Sequence, residues 1–161
     1  KPLKQRPSTV DKQNENMLQR DYFIRIIEEF MAALSRFLEK KVDERTDEDL
    51  KDLYRQYVGS YDVLRNLSFD EILVYASDQW TAAERISRLD MLAELLFAEG
   101  SYKNAPLRDM LLTKAYKLFD YVEAHGTVYS LSRRKKMQQI ADMNLSPTDA
   151  AEKKGSADAR N

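Results

Sequence analysis

The chain has 161 residues, 43% of them apolar, 10% aromatic and 33% charged, with four Gly and four Pro. That is enough apolar material for one core, and so few Gly and Pro favour long helices over a loop-rich or all-β chain. There is no Cys, which excludes disulfides, zinc–thiolate sites, iron–sulfur clusters and a cysteine nucleophile. No run of about 18 apolar residues is present to span a membrane, and a soluble, cytoplasmic protein is expected.

The net charge of −1 is unevenly spread. Residues 1–20 carry +3 and residues 129–144 another +3, residues 145–161 are neutral, and residues 21–128 therefore hold −7. An acidic body with two small basic patches differs from the broad basic face of a protein that neutralises many phosphates.

Residues 1–16 contain two prolines and few large apolar side chains. They read as a flexible N-terminal arm that cannot bury enough surface to offset its ordering entropy. The first helix is expected from about Met17 to Val42. Leu18, Phe23, Ile26, Ile27, Phe30, Met31, Leu34, Phe37 and Leu38 recur at steps of three and four and form one broad stripe. Such a width suits either central burial or a homodimer seam.

Thr46-Asp47-Glu48-Asp49 places a carboxylate three positions after a hydroxyl, the pattern of a capping box. It opens a second helix through Leu50, Leu53, Tyr54, Tyr57 and Val58, which is expected to continue past a kink at Gly59 into Ser60–Leu64. Ser68–Glu71 repeats the pattern before a short helix with Ile72, Leu73 and Tyr75, and Thr81–Glu84 repeats it once more. The long helix that follows turns Ile86, Leu89, Leu92, Ala93, Leu96 and Phe97 inward, and Gly100 is expected to stop it in the left-handed conformation. Pro106 suits the first turn of the next helix, which runs to Gly126. A last helix spans about Leu131 to Met143, with Met137, Ile140 and Ala141 inward. Residues 145–161 are polar and small, and read as a disordered tail. The expectation is an all-α chain of about six helices in antiparallel hairpins, with one domain over residues 17–144.

Residues 89–105 resemble the first half of a tetratricopeptide repeat. Leu89, Leu92, Ala93 and Leu96 match its helical positions, and Gly100, Tyr102 and Ala105 match its turn and the start of its second helix. Small residues at Ala93 and Ala105 would let two helices approach, and Gly100 would allow the reversal. Ala105-Pro106-Leu107-Arg108 departs from the repeat as an insertion, and no proline follows Gly126. From QRDYFIRIIEEF to TVYSLSRRKKMQQI the body is also similar to small uncharacterised bacterial proteins with a tetratricopeptide-like helical domain. The resemblance implies a fold and a scaffold role, and transfers no activity to any residue.

Few residues offer chemistry. His125, the only histidine, precedes Gly126 at a helix end, where an imidazolium suits the helix dipole. With one His, the paired Glu-x-x-His motif of di-iron bundles cannot occur twice. The carboxylate pairs at Asp47-Glu48-Asp49 and Asp70-Glu71 coincide with helix starts, and Glu28-Glu29 marks a solvated face. Most tyrosines are expected at core edges, with the hydroxyl reaching water. Tyr57, Tyr61, Tyr75 and Trp80 are the candidates for a partner-binding groove, since interface anchors favour Trp and Tyr; in the plainer reading Trp80 is a lid on the core. Arg133, Arg134, Lys135 and Lys136 form a basic run that is either a solvated helix face or a contact for phosphate, RNA or an acidic partner.

No cofactor or metal is called for. The reading is a non-enzymatic protein-interaction or scaffold module, with a protein partner or self-association. The alternative is a nucleic-acid-associated accessory protein using residues 1–20 and 133–136.

Overall fold

The computed structural model describes residues 9–143 and residue 145, and among these there is no strand. Seven helices follow one another: α1 (Thr9–Glu39), α2 (Asp47–Tyr57), α3 (Tyr61–Asn66), α4 (Phe69–Gln79), α5 (Ala82–Gly100), α6 (Leu107–His125) and α7 (Leu131–Asp142). A single 3-10 turn, Val42–Glu44, lies between α1 and α2. The all-α expectation holds. Helix α1, however, starts at Thr9 rather than Met17, so residues 9–16 of the expected arm are helical, while residues 1–8 and 146–161 lie outside the described residues.

Local capping chemistry sets most of the starts. Ser60, Ser68 and Ser130 each accept the backbone N–H three residues on, and Thr46 does the same from Asp49. Only Ser68 completes a reciprocal box, with Glu71 accepting from the Ser68 N–H; Asp49 turns instead to Lys40, 2.6 Å away. Thr81 makes no side-chain bond to the backbone and donates to the Glu84 carboxylate at 3.2 Å. Ser60 therefore begins a separate helix, and the expected kinked extension of α2 is replaced by α2, a break at Gly59, and α3.

Helix α5 is the axis of the molecule. Leu89, Met91, Leu92, Ala93, Glu94, Leu95, Leu96, Ala98, Glu99 and Gly100 are all buried, which covers every side of the helix rather than one stripe. It packs antiparallel on α6: Gly100 meets Leu112, Phe97 and Phe119 stack edge to face at 6.5 Å, and Ile86 lies against Gly126 at the far end. Helices α1, α2 and α4 cover its other sides. Phe30, Leu34 and Phe37 of α1 enter the core with Leu50, Tyr54, Leu64, Ile72, Leu111, Leu118 and Phe119.

Gly100 is the last residue of α5 and does not take up the expected left-handed turn. Its role is close approach, since a Cβ there would lie 2.5 Å from Leu112 Cδ2. Ala105 is exposed in the connection, and the buried small residues of the hairpin are Ala93, Ala98 and Ala115. The left-handed backbone occurs at Gly59, with φ +138°, where a Cβ would also strike the Tyr75 hydroxyl. Gly59→Ala should therefore lower stability by about 2 kcal/mol, seen as a lower urea midpoint. Adding Tyr75→Phe should recover only part of that loss, because it removes the clash and leaves the backbone strain.

Candidate functional site

The four aromatics expected to line a groove are not brought to one open surface. Tyr57 is buried, edge to face with Phe30 of α1 at 5.2 Å. Tyr61 is buried and its hydroxyl donates to the Glu99 carboxylate at 3.0 Å. Tyr75 reaches back to the Val58 carbonyl, and Trp80 packs edge to face on it at 5.5 Å, half-buried against the core. Trp80 is thus a lid. The physical reason is that α3 and α4 fold back over the end of α2, and the aromatics that face that junction become its filling.

Beneath them lies an internal polar network. Glu99 is fully buried on α5 and accepts from Tyr61 and from the Arg65 guanidinium of α3. Lys114 of α6 donates to the Arg65 carbonyl at 2.7 Å. Burial, with Glu99 next, pushes the Tyr61 hydroxyl well above the usual phenol range. Burial and the hydrogen bond to Asp47 do the same to Tyr102. These hydroxyls therefore stay protonated, as donors. The Tyr54 hydroxyl, fully buried beside them, has no hydrogen-bond partner.

Half of the basic run, Arg133 and Lys136, is turned inward, while Arg134 and Lys135 are exposed. Arg133 is buried, its side chain 7% exposed. It donates to Asp90 of α5 at 3.2 and 3.4 Å, to Glu123 of α6, and to the Val128 carbonyl at 3.3 Å. All three guanidinium nitrogens are engaged. Arg134 adds a second bond to Glu123 at 3.2 Å, and Lys136 reaches the buried Glu94 at 2.5 Å. Only Lys135 of the four makes no ion pair among the described residues. The pattern was legible as charge, but not as internal charge: the partners lie on α5 and α6, 10 to 43 residues away.

His125 ends α6, with Nδ1 2.9 Å from the Tyr121 carbonyl and its ring stacked on Tyr121 at 3.9 Å, so the helix-end reading fits. It borders a cleft of 270 Å³ with Ile86, Ser87, Asp90, Thr127 and Arg133. Since Asp90 and Arg133 are bonded to each other there, the cleft offers no free cation. The carboxylates at the helix starts are likewise engaged: Asp47 with Tyr102 and Lys103, and Asp49 with Lys40.

What remains open is the first half of α1. Every described side chain from Lys12 to Tyr22 is exposed, so this part of the helix stands clear of the body for roughly 15 Å, at 1.5 Å per residue. Met17, Leu18 and Tyr22 are 63%, 69% and 67% exposed, and Ile24 and Met31 follow them at the solvent side. The expected stripe placed Leu18 and Met31 inward; among the described residues of α1 only Phe30, Leu34 and Phe37 are buried, since Leu18 lies beyond the body and Met31, between Phe30 and Leu34, is on the side of the helix turned away from it. Phe23 marks the departure point, held under the Arg88 guanidinium at 5.1 Å. A groove of 640 Å³ opens there between Gln19, Tyr22 and Phe23 and the first turn of α5 at Thr81 and Ala83. The signal in the sequence is Met17 and Ile24, spaced by seven and outside that stripe.

Comparison with protein-family models, with curated proteins and with solved structures yields no match.

The clamp around Arg133 makes two expectations. Arg133→Ala leaves Asp90 without its cation and Glu123 with Arg134 alone, and should cost about 3 kcal/mol and raise hydrogen exchange in α7. Lys135→Ala should stay within about 0.5 kcal/mol of the parent. The hydrogen bond from Arg133 holds the Glu123 carboxyl below its ordinary 4.5. A depressed acid contributes stability that is complete above its unfolded pKa and is lost as pH falls through the folded one. Thermal melts between about pH 5 and 3 should accordingly be less pH-dependent in Glu123→Gln than in the parent.

Proposed function

We propose that the chain is a non-enzymatic helical protein-interaction or scaffold module that engages its partner through the free first half of α1. The observation that carries this reading is the exposure of Met17, Leu18 and Tyr22 on a helix segment whose described side chains from Lys12 to Tyr22 are all exposed. An isolated helix of this length is marginal in water, and burying each such side chain is worth about 2 kcal/mol. A partner would gain that contribution while ordering the segment.

Three further features support it. Most charged groups of the interior are committed to structural bonds, Glu99 with Tyr61 and Arg65, and Arg133 with Asp90 and Glu123. Residues 89–105 resemble a tetratricopeptide repeat, and the wider body resembles small bacterial helical proteins, both of which suit a scaffold. A cysteine-free chain suits the cytoplasm. Within the basic run Arg133, Arg134 and Lys136 are paired with Asp90, Glu94 and Glu123, which weakens the part of the nucleic-acid reading that relied on residues 133–136.

The test is capture from native lysate by the tagged chain and by a Leu18→Glu/Tyr22→Glu variant, with nuclease and at moderate salt. The parent should retain a protein partner through both treatments, and the variant should lose it while keeping the parent's circular dichroism. Equal recovery by both chains overturns the reading. Recovery of nucleic acid that disappears with salt would instead restore the alternative through residues 1–20.

A further inference from the structure

We infer that the partner of α1 is a second copy of this chain, and that two α1 helices pair antiparallel about a two-fold axis near residue 20. The inference rests on reading the free half of α1 as an interaction surface, and it names the occupant.

Glu15, Leu18, Tyr22 and Arg25 are spaced by three, four and three, so they share one side of the helix. All four are exposed. Their order along the helix is acid, apolar, apolar, base. Two copies laid in the same direction would set Glu15 against Glu15 and Arg25 against Arg25. Reversing one copy about residue 20 sets each Glu15 against the other copy's Arg25 and each Leu18 against the other copy's Tyr22. The stripe is thus self-complementary in one orientation only, and an isologous two-fold contact satisfies both copies identically. Neither Glu15 nor Arg25 makes an ion pair within its own chain among the described residues, in contrast to Arg65, Arg88 and Arg133.

The same register sets Glu29 of each copy level with Asp11 of the other, an acid against an acid in sequence order. Those like charges oppose the central pairs, so the dimer is reversible and depends on concentration.

The experiment is sedimentation velocity of the full chain over a wide concentration range. The mass should rise from that of the 18.8 kDa monomer toward twice that value. Leu18→Glu/Tyr22→Glu should remain monomeric with an unchanged melting temperature, because both side chains are exposed in the single chain. Glu15→Arg or Arg25→Glu alone should weaken association by about tenfold, since two attractions become two repulsions, and the double exchange should restore it. The absence of cysteine in the parent allows the direction to be read. A mixture of Leu18→Cys and Tyr22→Cys chains should oxidise to the mixed dimer, and Leu18→Cys alone should not. A monomer at every concentration, no rescue by the double exchange, or crosslinking of Leu18→Cys to itself overturns the pairing. If pairing fails while lysate capture still depends on Leu18 and Tyr22, the interaction reading stands with another partner. If capture too is indifferent to them, both readings fall.

Discussion

The structure depends on how three carboxylates of α5 find cations. From Leu89 to Gly100 helix α5 is largely enclosed, yet this stretch carries Asp90, Glu94 and Glu99, and Glu99 is fully buried. A buried carboxylate without a partner is strongly destabilising, so each must be met by a donor from another element. Arg65 of α3 and Tyr61 meet Glu99, Lys136 of α7 meets Glu94, and Arg133 of α7 meets Asp90. Burial raises the Glu94 carboxyl even though Lys136 acts against it. Apolar contact can be satisfied by many arrangements of helices; these pairs permit few, and they fix where α3 and α7 lie.

Helix α7 illustrates the point. Arg133 and Ile140 are its buried residues, too little apolar surface to hold it by packing alone. Its attachment is mainly ionic, through Arg133 and Lys136 and through Arg134 to Glu123. The same bonds withdraw Arg133 and Lys136 from the surface and leave Arg134 and Lys135 exposed. Helix α1 shows the opposite balance. Its second half is held by Phe30, Leu34 and Phe37, while its first half shows, among the described residues, no ionic or apolar anchor beyond Phe23 under Arg88. The molecule thus has a closed interior and one unsupported element, and the functional reading follows from that asymmetry.

Much of the fold was legible because its causes are local. Helical spacing identified the long elements, and the hydroxyl-before-carboxylate pattern located the starts at Thr46 and Ser68. Where the reading departed from the structure, a distant contact had intervened. Gly100 looks like a turn glycine, but Leu112 of the facing helix is what requires it. Tyr57 and Tyr61 look like surface aromatics, but α1 and Glu99 enclose them. Leu18 looks like core because it was placed on the stripe of α1, and it is exposed because the body ends before the helix does. Periodicity specifies which residues share a face; it does not specify what, if anything, stands opposite that face.

By itself, then, the sequence determined the helical class, the approximate helices and several of their caps, since propensity, period and capping act within a few residues. It also carried the self-complementary order of Glu15, Leu18, Tyr22 and Arg25 along α1. Only the tertiary structure decided which charges are internal, which aromatics are filling, and that the first half of α1 is left uncovered. Burial and ion pairing are properties of elements that meet in space, and the pair that best shows it, Arg133 and Asp90, joins residues 43 positions apart.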